Sequence, residues 1–133
     1  MIVVYYVSNN SSGKITMSWF DKHHIVYKAR KITKKATMTV KEINDMLLLT
    51  ENGFEDLINH RSKLVKQLED EDRLYELKTE ELIGKIIQNP TILKLPIILD
   101  EKKIVIGCNE NELRCFLSRN YRQAFLMNQR LYY

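Results

Sequence analysis

Cys108 and Cys115 are the two side chains of this 133-residue sequence best suited to nucleophilic or redox chemistry. They stand seven residues apart, and the chain contains no CxxC pair, the spacing that lowers a thiol pKa in disulfide oxidoreductases. Cysteines that form no disulfide also serve as small apolar residues in protein cores. Because two cysteines are too few for a disulfide scaffold, their number favours a reducing compartment, the cytoplasm.

A second place for chemistry is the polar turn at residues 8–13, between an apolar run and a helix-like segment. Backbone N–H groups and a helix dipole at such a turn can hold an anion, and a cysteine there would be activated. The turn offers Asn10, Ser12 and Gly13 but no thiol, and Ser12 has no obvious general base. We therefore predict no catalytic residue in this turn.

The histidines and acidic residues form no recognisable metal or acid-base pattern. His23, His24 and His60 lack the companion ligands of a zinc site, and we interpret them as surface or interface residues. The four glycines supply no phosphate-binding loop, and the acids form no recognisable catalytic pair. The sequence thus predicts no metal and no other cofactor.

Charge is distributed unevenly along the chain, which carries 21 Lys and Arg against 17 Asp and Glu, a net charge of +4. Residues 28–35 and 118–133 are basic and contain no acid, whereas residues 69–72 are all acidic. Such basic clusters are either solvated surface or contacts to phosphate or an acidic partner.

No apolar run is long enough to span a bilayer, and the N-terminus has no secretory pattern. The composition favours one globular, cytoplasmic domain without a membrane association.

The elements that must position these residues begin with a β-α-β unit at residues 1–38. Residues 2–7 are β-branched and aromatic, which predicts a buried strand. Helical spacing follows from Lys14 to His23, and residues 25–30 are predicted as a second strand. Strand, helix and strand within about thirty residues predict parallel strands with a right-handed crossover.

A helical block is predicted over about residues 39–93. A capping box at residues 39–42 opens it, and the Asn-Gly pair at 52–53 is typical of a left-handed helix end. Two further helices are predicted, one over residues 61–68 and one that begins at residue 79 and ends before the Asn-Pro pair at 89–90.

A β-β-α unit is predicted at residues 95–118, followed by a short C-terminal tail. Two apolar runs around a polar tip predict an antiparallel hairpin, and a capping pattern beginning at Asn109 predicts a final helix. Together the elements give one α/β domain over residues 1–133, a thioredoxin-like fold with a mixed four-stranded sheet and an inserted helical block. A proline entering the third strand of such a fold faces the first turn, and we predict a cis Leu95-Pro96 bond.

Residues 46–53, 61–63 and 95–119 closely resemble the Spx branch of the arsenate-reductase-like family. The likeness extends over nearly the whole chain in register, with short length differences in the helical block. It implies a bacterial, cytoplasmic regulator of stress-response transcription. Such a regulator binds the C-terminal domain of the RNA polymerase α subunit and contacts promoter DNA only within that complex. A Clp-type protease with its adaptor is a further expected partner.

The resemblance also implies functional residues by position. The expected polymerase contacts are Gly53, Glu51, Asn52 and Tyr5, and the expected DNA contacts are Arg61 and Lys63. A glycine at a helix end permits close approach of a partner backbone. Two basic side chains can neutralise phosphates without reading bases.

Two departures from the family pattern change the expected chemistry. Asn10 and Gly13 stand where many Spx proteins carry CxxC, so a thiol-disulfide switch is chemically impossible at that turn. The family arginine before the proline is Leu95 here, and only Arg61 matches the arginines of the arsenate-reducing branch. We therefore predict a regulator that is not an enzyme.

Two alternatives stay open at this point. A residual thioredoxin-like or arsenate-reductase-like enzyme would use Cys108 or Cys115 as its nucleophile. A competitor would occupy the polymerase α subunit without activating promoters.

Overall fold

The computed structural model describes residues 1–71 and 76–117, which form a mixed four-stranded sheet in the order β2-β1-β3-β4. The strands are β1 (Ile2–Tyr6), β2 (Tyr27–Lys31), β3 (Ile97–Leu99) and β4 (Ile104–Ile106). The α-helices are α1 (Ser11–Lys22), α2 (Val40–Leu49), α3 (Phe54–Leu57), α4 (Lys63–Asp70), α5 (Thr79–Gln88) and α6 (Glu110–Leu113), and 3-10 turns occupy Pro90–Ile92 and Arg114–Phe116. The sheet and its helices confirm the predicted α/β class.

Pairing within the sheet follows from the order of the strands in the chain. β1 pairs in parallel with β2, from Ile2 opposite Tyr27 to Tyr6 opposite Lys31. A parallel pair needs a crossover connection, which α1 provides. β1 also pairs antiparallel with β3, and β3 and β4 form the predicted antiparallel hairpin.

α1 begins earlier than its apolar spacing indicated. We predicted a start near Lys14, but the first helical residue is Ser11, because the Asn10 side chain accepts a hydrogen bond from the Ser12 N–H at 2.9 Å. Asparagine at this capping position satisfies one of the N–H groups that a helix start leaves without a partner. The predicted turn is therefore shorter, and Gly13 lies in the first turn of the helix.

α2 begins at the predicted capping box, but its predicted end is wrong. Thr39 Oγ1 accepts from the Glu42 N–H at 3.2 Å, and Glu42 Oε1 accepts from the Thr39 N–H at 3.0 Å. The helix ends at Leu49, and Thr50 is already extended. Gly53 has the expected positive φ, 64°, but it precedes the short α3 instead of closing α2. A helix of four residues leaves too little periodicity to be seen in a sequence.

The Leu95-Pro96 peptide bond is cis, as predicted. It faces the start of α1, where Asn10 Nδ2 donates to the Leu95 carbonyl at 2.8 Å. The predicted final helix is also present as α6, since the Asn109 side chain accepts from two N–H groups of its first turn.

Apolar side chains fill two clusters, one on each face of the sheet. The larger cluster packs α2 to α5 against Tyr5, Ile97 and Leu99, and the smaller packs α1 and the α6 region against Val4 and Ile98. Neighbouring residues of one strand point to opposite faces, which explains why β1 and β3 contribute to both clusters. The helical block therefore covers one face of the sheet.

The prediction that all three histidines are surface or interface residues is wrong for His23, which is buried within the chain itself. His23 is 6% exposed, because its ring packs on Trp19 with centroids 4.3 Å apart. Burial lowers the pKa of His23, and the neighbouring Lys22 lowers it further. His24 is exposed, as predicted.

The predicted tail, residues 118–133, and part of the acidic run lie outside the described residues. The assignment of one domain to residues 1–133 stays a prediction. No helix in residues 1–71 and 76–117 is long and apolar enough to cross a membrane.

Candidate functional site

The Gly53 corner, defined as residues 50–56, joins α2 to α3 at the surface. Glu51 and Asn52 are exposed, and Gly53 is half-buried. Gly53 has φ 64° and ψ −134°, a conformation that residues with a side chain rarely adopt. A Cβ built at this glycine would have no atom within 4 Å. The corner therefore presents bare backbone to open space.

Asp56 holds the corner in this shape. Its Oδ2 accepts from the backbone N–H groups of Glu51 and Asn52 at 3.2 and 3.0 Å, and its Oδ1 accepts from the Asn52 side-chain amide at 3.2 Å. These hydrogen bonds, those from Asn52 first, hold the pKa of Asp56 below its ordinary value. The corner is thus organised by a residue that the sequence did not single out.

Tyr5, implied by the resemblance as a polymerase contact, lies in the core. It is 6% exposed and belongs to the cluster beneath α2. Burial, followed by the charges of Glu42 and Asp45, raises the pKa of Tyr5 to about 12. Because so little of this residue reaches solvent, we remove Tyr5 from the expected contact set. Its place in the structure is to pack β1 against α2.

Arg30, from the basic run at residues 28–35, is bound within the structure. Its Nε and Nη2 donate to the two carboxylate oxygens of Glu42 at 3.0 and 3.1 Å, and both side chains are at most 20% exposed. The guanidinium also donates to the carbonyls of Lys31, Ala36 and Thr37. This pair ties β2 to the start of α2, so Arg30 is not available to phosphate.

Arg61 and Lys63, the expected DNA contacts, lie at the start of α4 and are both exposed. Neither side chain forms an ion pair within residues 1–71 and 76–117. Cationic side chains without an internal partner can contact a polyanion directly. The structure therefore leaves both residues accessible for the role expected of them.

A cavity of about 680 Å³, here called the α1 cavity, opens between the start of α1 and the cis-proline segment. Its lining includes Asn10, His60, Arg61, Lys94 and Leu95. A reactive thiol of a thioredoxin-like fold would lie here, at the start of the helix. Neither Cys108 nor Cys115 lines the cavity, and within the described part of the chain they form no disulfide. No cluster of three His, Cys, Asp or Glu able to hold a metal occurs among those residues either.

Gly13 stands where the resemblance implies the second thiol of a CxxC pair, and its surroundings are tightly packed. A Cβ at residue 13 would lie 2.8 Å from the Cβ of Tyr6. Because the Tyr6 Cβ is attached directly to the β1 backbone, relief of this overlap requires β1 or α1 to move. The absence of the thiol pair is thus supported by the packing around it.

His60 lies between two carboxylates at the edge of the α1 cavity. Its Nδ1 contacts Glu69 Oε1 of α4, and its Nε2 lies 3.0 Å from Glu55 Oε1 of α3 without hydrogen-bond alignment. The hydrogen bond to Glu69 raises the pKa of His60, burial opposes the shift, and the charge of Glu55 adds to it. His60 thereby links α3, which follows Gly53, to α4, which follows Arg61.

Sequence reasoning did not single out Asp56, Tyr6 or Glu55. An acid three residues after a glycine, in the first turn of a short helix, is a local signal that could have identified Asp56. The other two residues act across the tertiary structure, against Gly13 and His60, and leave no local signal.

The chain is a thioredoxin-like α/β protein. It has the strand order β2-β1-β3-β4, helices packed on both faces of the sheet, and a cis-proline opposite the start of α1. Within this class, the chain has Asn10 and Gly13 at the helix start where a thiol pair would lie.

Comparison with known proteins gives the family. The ArsC family model matches residues 5–116. Proteins described as the global transcriptional regulator Spx, from Streptococcus agalactiae serotype III and Enterococcus faecalis, are 38% and 34% identical to this chain. The alignments cover 95% and 98% of this chain and 90% and 97% of those proteins. The chain therefore belongs to the ArsC family and, within it, to the Spx-like transcription regulators.

Solved structures agree with the fold. An ArsC family related protein from Bacteroides fragilis gives a TM-score of 0.71 at 20% identity, covering 87% of this chain and 97% of that one. An arsenate reductase from Vibrio cholerae gives a TM-score of 0.68 at 18% identity, with coverage of 87% and 97%. At these identities the likeness concerns the fold and not the activity.

Proposed function

We propose that this Spx-like regulator acts by docking its Gly53 corner on the C-terminal domain of the RNA polymerase α subunit. The observation that carries the proposal is a positive-φ glycine with no atom within 4 Å of its missing Cβ. A partner backbone can approach such a position closely because it meets no side chain. Glu51 and Asn52 are exposed beside it and supply polar groups for the rim of the contact.

The rigidity of the corner favours the same role. Asp56 fixes the backbone N–H groups of Glu51 and Asn52 before any partner arrives. A surface that is already ordered loses less conformational entropy on binding. The docking residues in this proposal are therefore Glu51, Asn52 and Gly53. Asp56 positions them through its hydrogen bonds to the Glu51 and Asn52 N–H groups.

The chain is proposed to be neither a thiol enzyme nor a thiol-disulfide switch. Asn10 caps α1 and binds the Leu95 carbonyl, and Gly13 is crowded by Tyr6. Neither cysteine lines the α1 cavity, where a thioredoxin-like fold places its reactive thiol. Cys115 lines a second cavity, beside β4, but four carboxylates line that cavity too and would repel an oxyanion substrate. The placement of the cysteines gives no support to this alternative.

Promoter DNA is proposed to meet Arg61 and Lys63 only while the polymerase holds the regulator on the promoter. A net charge of +4 is small for a protein that binds DNA alone. Two phosphate contacts add a salt-dependent affinity without sequence preference. Degradation by a Clp-type protease with its adaptor stays a prediction.

The docking site is tested by comparing Gly53→Arg with Gly53→Ala in calorimetric binding to the isolated α C-terminal domain. Both variants carry the strain of a side chain at positive φ, on the order of 1–3 kcal/mol, but only arginine adds bulk beyond the Cβ. We expect Gly53→Arg to lose measurable binding and Gly53→Ala to stay within about tenfold of the unchanged chain.

Binding of Gly53→Arg at the normal affinity would refute the docking site. Equal loss in both variants with an unchanged unfolding midpoint would mean that the partner approaches closely enough for the Cβ alone to exclude it. Equal loss together with a lowered midpoint would assign the effect to backbone strain. In a transcription assay, an activator raises promoter output, whereas a competitor only reduces the output of a redox-active relative.

A further inference from the structure

The edge groove is a cavity of about 610 Å³ that is distinct from the α1 cavity. Its first wall comes from the Gly53 corner region, its second from α6 and the turn that follows, and its floor from β4. The first wall includes Glu51, Glu55, Asp56 and Lys94, the second includes Glu112, and β4 lines the floor. Its volume lies within the roughly 300–1,000 Å³ of ordinary ligand sites.

The two walls belong to opposite faces of the sheet. α2 and α3 pack in the cluster on one face, and the α6 region packs in the cluster on the other. β4 is the last strand in the order β2-β1-β3-β4, so its outer side has no neighbouring strand in the described sheet. A cavity that touches both faces and β4 must therefore run along this open edge.

β4 directs the backbone groups of two residues into the groove. Gly107 N–H donates to Pro96 O at 2.8 Å, and Asp100 N–H donates to Lys103 O at 3.0 Å. In an antiparallel pair the hydrogen-bonded positions alternate, so Val105 faces β3 while Ile104 and Ile106 direct their N–H and C=O groups outward. An outward N–H and C=O row of this kind is a template for one more strand.

The charge around this row is strongly one-sided. Four carboxylates line the groove against one ammonium group, Lys94, although the chain as a whole carries +4. Asp56 accepts hydrogen bonds from the corner N–H groups, and Glu55 lies 3.0 Å from His60 Nε2. Glu51 and Glu112 are exposed on the two walls and form no ion pair within the described residues. A cationic side chain on either side of an added strand would meet a carboxylate.

We propose that the edge groove binds an extended, basic segment of a partner protein, which pairs with β4 as a fifth strand. Main-chain hydrogen bonds to Ile104 and Ile106 hold the segment, and its Lys or Arg side chains contact Glu51 and Glu112. A second copy of this chain is disfavoured as the occupant, because pairing two β4 edges would oppose two acidic grooves. The proposal deepens the proposed docking function by giving the partner's chemistry beside the Gly53 corner.

The test uses the full chain and two blocked octapeptides, one of alternating Lys and Val and one of alternating Glu and Val. We expect the basic peptide to bind and the acidic peptide not to bind, with an affinity that falls as salt is raised. Amide hydrogen exchange locates the site: Ile104 and Ile106 N–H groups should exchange quickly in the free chain and become protected with the basic peptide. The Val105 N–H should be protected in both states.

Two matched pairs of variants separate charge from backbone pairing. Glu112→Gln removes a groove carboxylate, while Glu110→Gln changes an exposed acid of α6 that does not line the groove. Ile106→Pro deletes an outward N–H, which edge strands tolerate, and Ile106→Val keeps it. We expect Glu112→Gln and Ile106→Pro to weaken peptide binding by roughly threefold to tenfold and the two controls to leave it unchanged.

Several results would overturn the proposal. Equal binding of both peptides would contradict recognition by charge. Normal binding by Glu112→Gln and by a folded Ile106→Pro would contradict both the carboxylate contact and the strand pairing. Protection of Ile104 and Ile106 before peptide is added would mean that the chain itself fills the groove, and protection that rises with protein concentration would assign it to a second copy. Because no polymerase is present, failure here leaves the Gly53 test unaffected, and the converse also holds.

Discussion

The Cβ that Gly13 lacks would lie 2.8 Å from the Cβ of Tyr6, and this single distance shows how little room the packing leaves for a side chain at residue 13. Replacing Asn10 with cysteine would remove a cap and a hydrogen bond to Leu95, but the backbone there could accept the side chain. At residue 13 the obstacle is the first carbon of any side chain, whatever follows it. The packing of β1 against α1 therefore disfavours any side chain, a thiol included, at residue 13.

Gly13→Ala tests this packing, with Gly84→Ala as its matched control. Both glycines lie in helices, but a Cβ at Gly84 would meet nothing within 4 Å. We expect Gly13→Ala to lower the free energy of unfolding by about 1–3 kcal/mol, the cost of overpacking. Gly84→Ala should raise it by roughly 0.5–1 kcal/mol, the difference in helix propensity.

Chemical denaturation measures both changes in the free energy of unfolding. Gly13→Cys should lower this free energy by about as much as Gly13→Ala does, because the Cβ common to both side chains causes the clash. An unchanged or raised stability for Gly13→Ala would show that β1 and α1 separate easily. The position would then be open to a thiol, and its absence would have no structural support.

At the scale of elements, His60 is the side chain that joins α3 to α4, the two short helices beside the proposed contacts. It contacts Glu69 of α4 and lies 3.0 Å from Glu55 of α3. These carboxylates favour the protonated ring, so the pKa of His60 is raised above 6.5 in the folded chain. The folded state therefore binds a proton more tightly than the unfolded state does.

The sign of the pH dependence follows from this difference. The stabilisation from His60 is fully present below about pH 6.5, the value for the unfolded chain, and is lost as pH rises through the raised folded-state pKa. We expect the stability difference between the unchanged chain and His60→Gln to be larger near about pH 6 than near about pH 8. The His60 side chain is 35% exposed, so the change should be on the order of 0.2–1 kcal/mol.

Thermal unfolding of both proteins across this range measures the difference. His24→Asn is the matched control, because His24 is exposed, forms no ion pair in the described chain, and has a φ of 56° that asparagine tolerates. A stability difference for His60→Gln that is constant with pH, or that grows as pH rises, would contradict the assigned link.

Elements with local signals were predictable, and those that depend on distant contacts were not. The capping box at residues 39–42 and the β-branched strand residues act within a few positions, so their types alone indicated α2 and the sheet. The four-residue α3 has no period to detect, and Gly53 looks the same in sequence whether it ends one helix or precedes the next.

The candidate site shows the same division. Exposure of Glu51 and Asn52 fitted their polar character, and Gly53 has the positive φ that an Asn-Gly pair indicates. Tyr5 was expected to contact a partner but is buried. A tyrosine in a β-branched strand can face either the core or a partner, and only the packing of α2 on β1 shows that Tyr5 faces the core. The crowding at Gly13 and the contacts of His60 could be recognised only from the folded structure, because their partners come from other elements.

At the scale of the whole molecule, charge separates two surfaces. The edge groove beside the Gly53 corner is acidic, whereas the α1 cavity is lined by Arg61 and no carboxylate among its described residues. The two linings share a single residue, Lys94. A protein partner on the first surface and phosphate near the second would therefore compete for no lining side chain other than Lys94.

This separation predicts that the proposed DNA contact and the proposed polymerase contact can be changed independently. Lys63→Ala should weaken promoter binding by the assembled complex and reduce the slope of log K against log salt by about 1, because one phosphate contact is lost. Binding to the isolated α C-terminal domain should stay unchanged, since Lys63 lines neither the edge groove nor the corner. Lys66→Ala, also exposed on α4, is the matched control and should leave the salt slope unchanged. If Lys63→Ala and Lys66→Ala changed the salt slope equally, the lysines would act only through nonspecific electrostatic attraction. If Lys63→Ala also weakened binding to the α C-terminal domain, one surface would bind both partners.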